Sequence, residues 1–292
     1  MSGQGSQMSP VLLTGADGAV GRALRCGLRD RVPALRLMTR TPVLDLHENE
    51  ENCIADVRDQ EAVAEVVDGV RAVIHLAGIP DEAPFIDILD TNVVGTYHVY
   101  EAARQCGVKR VVFASSNHVI GCYPRTARLR PEDPVRPDTY YGVSKVFGEA
   151  LARLYYDKWG IESACLRIGS MRERPEDHRQ LSTWMSNRDG VELVTRCLEA
   201  PDLGFAVIFG VSGNRRSWWD IGDDARRIGW KPLDDAEEYA RQFGPEPDSA
   251  GDLAAQSQGG GYVLPDYRGG LWAPPKHRTV GNANGRNGGE DG

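Results

Sequence analysis

The sequence predicts an α/β protein in which a doubly wound parallel sheet carries helices on both faces and a small C-terminal substrate-binding region is appended. Three observations lead there. Short apolar runs alternate with segments of helical periodicity through most of the 292 residues. Those runs are apolar almost throughout, as strands covered on both faces are. The first of them ends in a glycine turn that opens directly into a helix.

Val11-Leu-Leu-Thr-Gly15 is the first strand with its turn, and Val20, Ala23, Leu24 and Leu28 then share one helix face. Gly15, Gly18 and Gly21 recur at three-residue spacing across the turn. Glycines there let the backbone approach a pyrophosphate, which the amides at a helix N-terminus stabilise, so the unit reads as a Rossmann-type nucleotide site. Ala34-Leu-Arg-Leu-Met-Thr39 is the second strand and closes the first βαβ unit. A carboxylate at its end would bond the adenosine ribose, whereas an arginine accommodates a 2′-phosphate. The chain has Thr39-Arg40 and no acid, so NADP is expected to be accepted, with a solvated loop arginine as the other reading.

Cys53-Ile54 leads into Asp56-Val57, and a helix bearing Val63, Val66 and Val67 follows. Ala72-Val-Ile-His-Leu76 is the next strand and ends in the Leu76-Ala77-Gly78 turn. After it come a long helix from about Phe85 to Cys106 and the strand Arg110-Val-Val-Phe-Ala114. The following helix starts at Pro137, Asp138 or Thr139 and ends near Gly160, with Val143, Phe147, Ala150, Leu151 and Leu154 as its expected core stripe. Ser163-Ala-Cys-Leu-Arg-Ile168 and Phe205-Ala-Val-Ile-Phe209 complete the sheet. Ligands of such sheets bind outside the carboxyl ends of the strands, where Gly15, Asp56, Gly78, Ser116 and Ser170 all fall.

Tyr141-Gly-Val-Ser-Lys145 places a phenol and an ammonium one helical turn apart, on the same face. A phenol titrates near pH ~10 and is a poor base at neutrality, but a neighbouring ammonium favours the phenolate by ~1–3 pH units. The pentapeptide alone also fits an ordinary amphipathic helix. Arg167, Arg172, Arg174 and Arg179 crowd into thirteen residues of a chain of net charge −8, which points to an anion. Arg172 and Arg174 read better as solvated loop cations and Arg179 as the ligand fork. His118 reads as a hydrogen-bonding group for substrate or as a structural histidine.

The glycine pattern, the Leu76-Ala-Gly78 turn, Asn92, Ser116 and Tyr141 with Lys145 together resemble the extended short-chain dehydrogenase/reductase superfamily over roughly residues 10 to 235. More narrowly, Phe113-Ala-Ser-Ser-Asn-His118, Tyr141-Gly-Val-Ser-Lys145-Val-Phe-Gly-Glu149, Arg167-Ile-Gly-Ser170, Leu181-Ser-Thr-Trp184 and Trp218-Trp-Asp220 resemble the uronate dehydrogenases. The resemblance implies oxidation at C1 of a cyclic hexuronate, galacturonate or glucuronate, to an aldarolactone, with hydride passing to NAD. It implies Tyr141 as base, Lys145 as holder of the nicotinamide ribose, and Ser116 as the group that orients the hydroxyl. Asn117, His118, Ser170 and Arg179 would grip the sugar and its carboxylate. The expected cofactor set is Gly15, Gly18, Val20, Gly21, Thr39, Arg40, Asp56, Val57, Leu76, Ala77, Gly78 and Asn92, with Tyr141 and Lys145. Pro80 stands where these enzymes carry a serine that touches substrate, and Met171-Arg-Glu-Arg174 replaces small polar residues. Two other readings stay open: a nucleotide-sugar epimerase or dehydratase that retains NAD, and a noncatalytic NADP-binding regulator.

Composition sets the remaining expectations. Residues 10–169 read as the nucleotide-binding domain, 170–272 as the substrate-binding region, and 1–9 and 273–292 as loose ends. The second region is short for a nucleotide sugar, which favours a monosaccharide, and Gln258-Gly-Gly-Gly-Tyr262 resembles a family segment that returns to the site. Six scattered cysteines read as reduced packing residues, and no metal site is evident. The acidic balance argues against nucleic acid, and the absence of a long apolar run argues against a membrane span, so a cytoplasmic protein is expected. Tyr97, Tyr100, Tyr155 and Tyr156 exceed what one core face needs; superfamily members pair these two helices across a dimer axis, which implies a homo-oligomer.

Overall fold

A computed structural model of the protein describes residues 9–246 and 251–267, so the expected loose ends lie outside the described residues except for Ser9. Seven parallel strands form the main sheet: β1 (Val11–Thr14), β2 (Leu35–Thr39), β3 (Glu50–Ile54), β4 (Ala72–His75), β5 (Arg110–Ser116), β6 (Glu162–Ile168) and β9 (Phe205–Gly210). Their order is β3-β2-β1-β4-β5-β6-β9, which puts the reversal of winding between β1 and β4. Two short strands, β7 (Ser170–Met171) and β8 (Trp184–Met185), pair with each other beyond the end of β6. The seventh strand of the sheet therefore comes from beyond residue 170.

The helices are α1 (Ala19–Leu28), α2 (Gln60–Val67), α3 (Phe85–Ile88), α4 (Gly95–Gln105), α5 (Tyr140–Trp159), α6 (Gln180–Thr183), α7 (Asn187–Glu199), α8 (Asp223–Arg227) and α9 (Leu253–Gln256). One apolar core joins the sheet to α1 and α7, and another joins it to α2, α4 and α5. The long helix read over 85–106 is interrupted: a π-helical segment, Leu89–Val94, links α3 to α4 and carries Asn92.

Helix α5 starts and stops where the sequence reading put it. Thr139 accepts a hydrogen bond from the Gly142 amide at 2.9 Å, and Gly160 ends the helix at φ 67°. Its buried face coincides with the expected stripe only in part: Leu151 packs against the second core and Phe147 is half-buried. Val143 and Leu154 are 48% and 42% exposed, while Tyr141, Gly142, Lys145, Gly148, Glu149 and Ala152 face the sheet. Small residues make that approach possible. A Cβ on Gly148 would lie 2.2 Å from the Phe113 ring, and Glu149 is buried because Arg167 pairs with it through two 2.9 Å bonds while Ser115 donates to it at 2.6 Å. Tyr100 and Tyr155 are likewise core residues, so of the four tyrosines only Tyr97 and Tyr156 point outward.

Candidate active site

The glycine turn after β1 is sterically obligatory. Gly15 has φ +67°, and a Cβ there would meet the Ala77 amide at 2.9 Å; a Cβ on Gly21 would lie 2.2 Å from the Gly15 carbonyl. Helix α1 begins at Gly18 without a side-chain cap or an acid in its first turn, which leaves its leading amides to an anion. At the end of β2, Thr39 is buried and its hydroxyl is committed to Thr41 and Asn52, whereas Arg40 is exposed. Asp56 pairs with Arg58 on the same rim, and Arg40 helps hold its carboxyl below the usual range. Val57 is buried, and its carbonyl accepts from His98 at 2.8 Å.

A buried relay fixes the Leu76-Ala77-Gly78 turn. Thr14 Oγ1 accepts from the amides of Leu76 and Ala77 at 3.1 Å each, so its own proton goes to His75 Nδ1 at 2.9 Å. His75 then carries its hydrogen on Nε2 and bonds Thr96 at 3.2 Å. Burial keeps the imidazole neutral, with a pKa pushed down to about 3. Asn92 is fully engaged by the protein: it accepts from the Ile79 amide at 2.7 Å and donates to Ile79 O at 3.0 Å and Ser144 Oγ at 3.2 Å. It clamps the turn to α5.

Tyr141, Ser116 and Lys145 converge. The phenol is 8% exposed and lies close enough to Ser116, at the carboxyl end of β5, for that hydroxyl to favour the phenolate. Lys145, 7% exposed, sits over two rings, 5.4 Å from the centroid of Tyr141 and 5.1 Å from that of Phe113. The expected lowering of the phenol pKa is not what the protein alone produces. Burial pushes Tyr141 up to about 12, against the Ser116 hydrogen bond, with Tyr262, Asp81 and Asp138 adding to the rise. Burial also pulls Lys145 down to about 8. The ammonium sits against the Tyr141 and Phe113 rings, and for both groups desolvation is the dominant influence.

Beyond them lie Asn117, His118 and Arg179. With its amide oriented to satisfy both ends, Asn117 donates to Ile168 O at 3.1 Å and accepts from Arg179 Nη2 at 2.8 Å. Arg179 Nε donates to Gln258 O at 2.8 Å. Among the described residues no carboxylate pairs with this guanidinium. The residue keeps some solvent contact, yet protein surrounds the charged end closely enough for burial to pull its pKa to about 10. The rest of the arginine cluster is occupied elsewhere: Arg167 with Glu149, Arg172 with Glu176, and Arg174 at the surface. Ser170 lies at the same sheet end, its hydroxyl 3.3 Å from that of Thr183.

A model of the NAD dependent epimerase/dehydratase family matches residues 11–228. The chain belongs to that family. It is 46% identical to uronate dehydrogenase from Agrobacterium fabrum, an alignment covering 88% of this chain and 97% of the relative. The uronate dehydrogenase of Pseudomonas syringae pv. tomato is 43% identical over 87% of this chain and 92% of its own. Among solved structures, glucuronic acid dehydrogenase from Chromohalobacter salexigens superposes with a TM-score of 0.84 at 43% identity, covering 87% of this chain and 96% of that one. A variant of the Agrobacterium tumefaciens uronate dehydrogenase in complex with NAD gives 0.83 at 45% identity, covering 87% and 97%.

In this epimerase/dehydratase family member, two contributors to the site, Asp138 and Glu82, were not read as such from sequence, and a third, Gln258, lies in the segment expected to return to the site. Asp138, read only as a possible helix start, has a fully buried side chain and accepts from His118 Nδ1 at 2.8 Å, which orients the ring and leaves Nε2 to the site. Two glycines make room for it: a Cβ on Gly121 would lie 1.8 Å from its Oδ2, and one on Gly259 2.0 Å. Glu82, with no motif to announce it, accepts from the amides of Tyr140 and Tyr141 at 3.2 and 2.9 Å and caps α5 from outside. Gln258 is wholly buried; its side chain bonds Trp219, Pro124 and Ala127 while its carbonyl holds Arg179.

Proposed function

We propose that the protein oxidises the C1 hydroxyl of a cyclic hexuronate, galacturonate or glucuronate, to the aldarolactone, with NAD as cofactor and NADP also admitted. The observation that carries this reading is a largely buried guanidinium, Arg179, without a carboxylate partner among the described residues, beside a Tyr141–Ser116–Lys145 cluster. A buried charge left unpaired by its own chain is costly, and a ligand carboxylate meets a guanidinium through two parallel bonds.

The chain's own groups then divide the work. Arg179 and Asn117 take the carboxylate, and His118 Nε2 hydrogen-bonds a ring hydroxyl. Ser116 holds the C1 hydroxyl against Tyr141, whose oxygen removes its proton; Lys145 supplies the nearest positive charge. The Gly15–Gly21 turn, Asp56, the Leu76–Gly78 turn and Lys145 would hold the dinucleotide, and the glycines fit because a Cβ at Gly15 or Gly21 would collide with backbone. When bound, the nicotinamide accepts the hydride.

The finer readings have their own supports. NADP is favoured by the exposed Arg40 at a β2 end that lacks an acid. A homodimer is favoured by the exposed Phe85, Ile86, Val94, Tyr97, Tyr140, Val143 and Leu154 on α3, the π segment, α4 and α5. A cytoplasmic setting suits six unpaired cysteines; among the described residues no helix is long and apolar enough to cross a membrane. The test incubates the protein with galacturonate, glucuronate and neutral aldoses, each with NAD or NADP, and follows absorbance of the reduced cofactor. Turnover of the uronates is expected. No turnover of either overturns the assignment, and tightly held stoichiometric NAD would redirect it to an epimerase. Arg40→Asp should weaken NADP use and spare NAD; equal loss of both would remove Arg40 from the cofactor site.

A further inference from the structure

The backbone of Tyr141 is held on both sides of its Cα, and both holds lead to one loop. Glu82 stands exposed on the loop between β4 and α3, with its carboxylate turned to the start of α5: Oε2 accepts from the Tyr141 amide at 2.9 Å and Oε1 from the Tyr140 amide at 3.2 Å. Consecutive amides at a helix N-terminus suit a carboxylate, because the helix leaves them unpaired and with positive polarity. On the far side of the same residue, the Tyr141 carbonyl accepts from Ser144 Oγ at 2.7 Å. Ser144 is buried and accepts in turn from Asn92 Nδ2 at 3.2 Å, and Asn92 holds both the amide and the carbonyl of Ile79. The peptide groups flanking the Tyr141 Cα are therefore tied to a single loop, at Glu82 directly and at Ile79 through Ser144 and Asn92. That loop continues from the Leu76-Ala77-Gly78 turn, in which the Leu76 and Ala77 amides are fixed on Thr14.

We propose that Glu82 is a positioning residue for the catalytic base, setting where the Tyr141 phenol stands relative to the cofactor turn. The inference rests on the uronate oxidation proposed above. The phenolic oxygen is the far end of the side chain, so a small rotation of the backbone at Tyr141 moves it much further than it moves the Cα. A misplacement of about 1 Å at the reacting atoms costs on the order of 100-fold in rate. With both its oxygens on amides, Glu82 acts through the backbone of Tyr141. Its contribution is more than the capping of a helix. Thr139 already caps α5 through the Gly142 amide, so the helix keeps a start of its own without Glu82. What Glu82 adds is the tie from that helix to the loop that leaves the cofactor turn.

The test compares the unsubstituted enzyme with Glu82→Ala, Glu82→Asp and Glu82→Gln, using galacturonate with protium or deuterium at C1 and saturating NAD, with folding followed by circular dichroism. Glu82→Ala should lower kcat about tenfold or more, while KM for galacturonate and NAD affinity by fluorescence titration change less than about threefold. Its primary isotope effect on kcat should be no smaller than that of the unsubstituted enzyme, since the chemical step is the one that slows. Glu82→Asp, whose carboxylate is drawn back by one methylene, should lower kcat about threefold or more, and carries the test if the alanine variant does not fold. Glu82→Gln keeps an oxygen for the Tyr141 amide, leaves the exposed Tyr140 amide to water, and should retain at least about a third of kcat. A lower melting temperature with kcat unchanged reduces Glu82 to a helix cap and overturns the proposal while leaving uronate oxidation standing. So do a raised KM at constant kcat, and equal losses of kcat in the glutamine and alanine variants. No turnover by the unsubstituted enzyme overturns the activity itself and this proposal with it.

Discussion

Replacing Lys145 by methionine should leave the protein more stable and without activity. The ammonium is 7% exposed, lies over the Phe113 and Tyr141 rings, and has no carboxylate partner among the described residues. Burial lowers its pKa from 10.5 to about 8, which penalises the charged form by about 3 kcal/mol. The sign follows from proton counting. Between pH 8 and 10.5 the unfolded lysine is protonated and the folded one is not, so the penalty is fully present below about pH 8 and fades as pH rises toward 10.5. Methionine fills similar space without a charge, and forfeits two ring contacts worth ~0.5–1 kcal/mol each. The net gain at pH 7 is ~1–2 kcal/mol, a rise in Tm of roughly 2–8 °C for a chain of this size. Thermal unfolding at pH 7 and pH 10, with uronate turnover measured alongside, checks it: the gain should shrink at pH 10 and turnover should fall at least ~100-fold. A loss of stability at pH 7, or a gain equal at both pH values, would refute the reasoning.

Three other substitutions probe the remaining parts. Arg179→Met removes a charge-assisted contact worth ~1.5–3 kcal/mol, so kcat/KM for galacturonate should fall ~10–100-fold, with little change for galactose or in NAD affinity by fluorescence titration. Because Tyr141 stays protonated well below its pKa of about 12, kcat/KM of the unsubstituted enzyme should rise about tenfold per pH unit from pH 6 toward 8, and Tyr141→Phe should cost ~10²–10⁴ in rate and abolish that slope. Glu149→Ala strands the buried Arg167 guanidinium, whose side chain is 4% exposed, and should lower stability by ~3–5 kcal/mol in urea titration.

The parts of this molecule legible in the sequence are those where backbone geometry leaves a compositional mark. Gly15 and Gly21 are glycine because a Cβ has nowhere to go, and the apolar runs mark the strands because both sheet faces are covered. Helix α5 shows the limit. Its ends were readable from Thr139 and Gly160, but apolar periodicity chose Val143 and Leu154, while the buried face is built from Gly148 against a ring and Glu149 against Arg167. A face made of glycines and a compensated charge carries no apolar stripe. Asp138 and Glu82 were not readable as site residues for a related reason: each acts on a partner that the fold brings from far along the chain, His118 across 20 residues and Tyr141 across 59. The expected depression of the Tyr141 pKa failed because helical spacing fixes which residues are neighbours but not how deeply both are buried.

The snug fit of Asp138 between Gly121 and Gly259 has a bearing on redesign. Any combinatorial library meant to retune sugar preference has to leave both positions invariant, since a single added methyl at either would evict the carboxylate that orients His118.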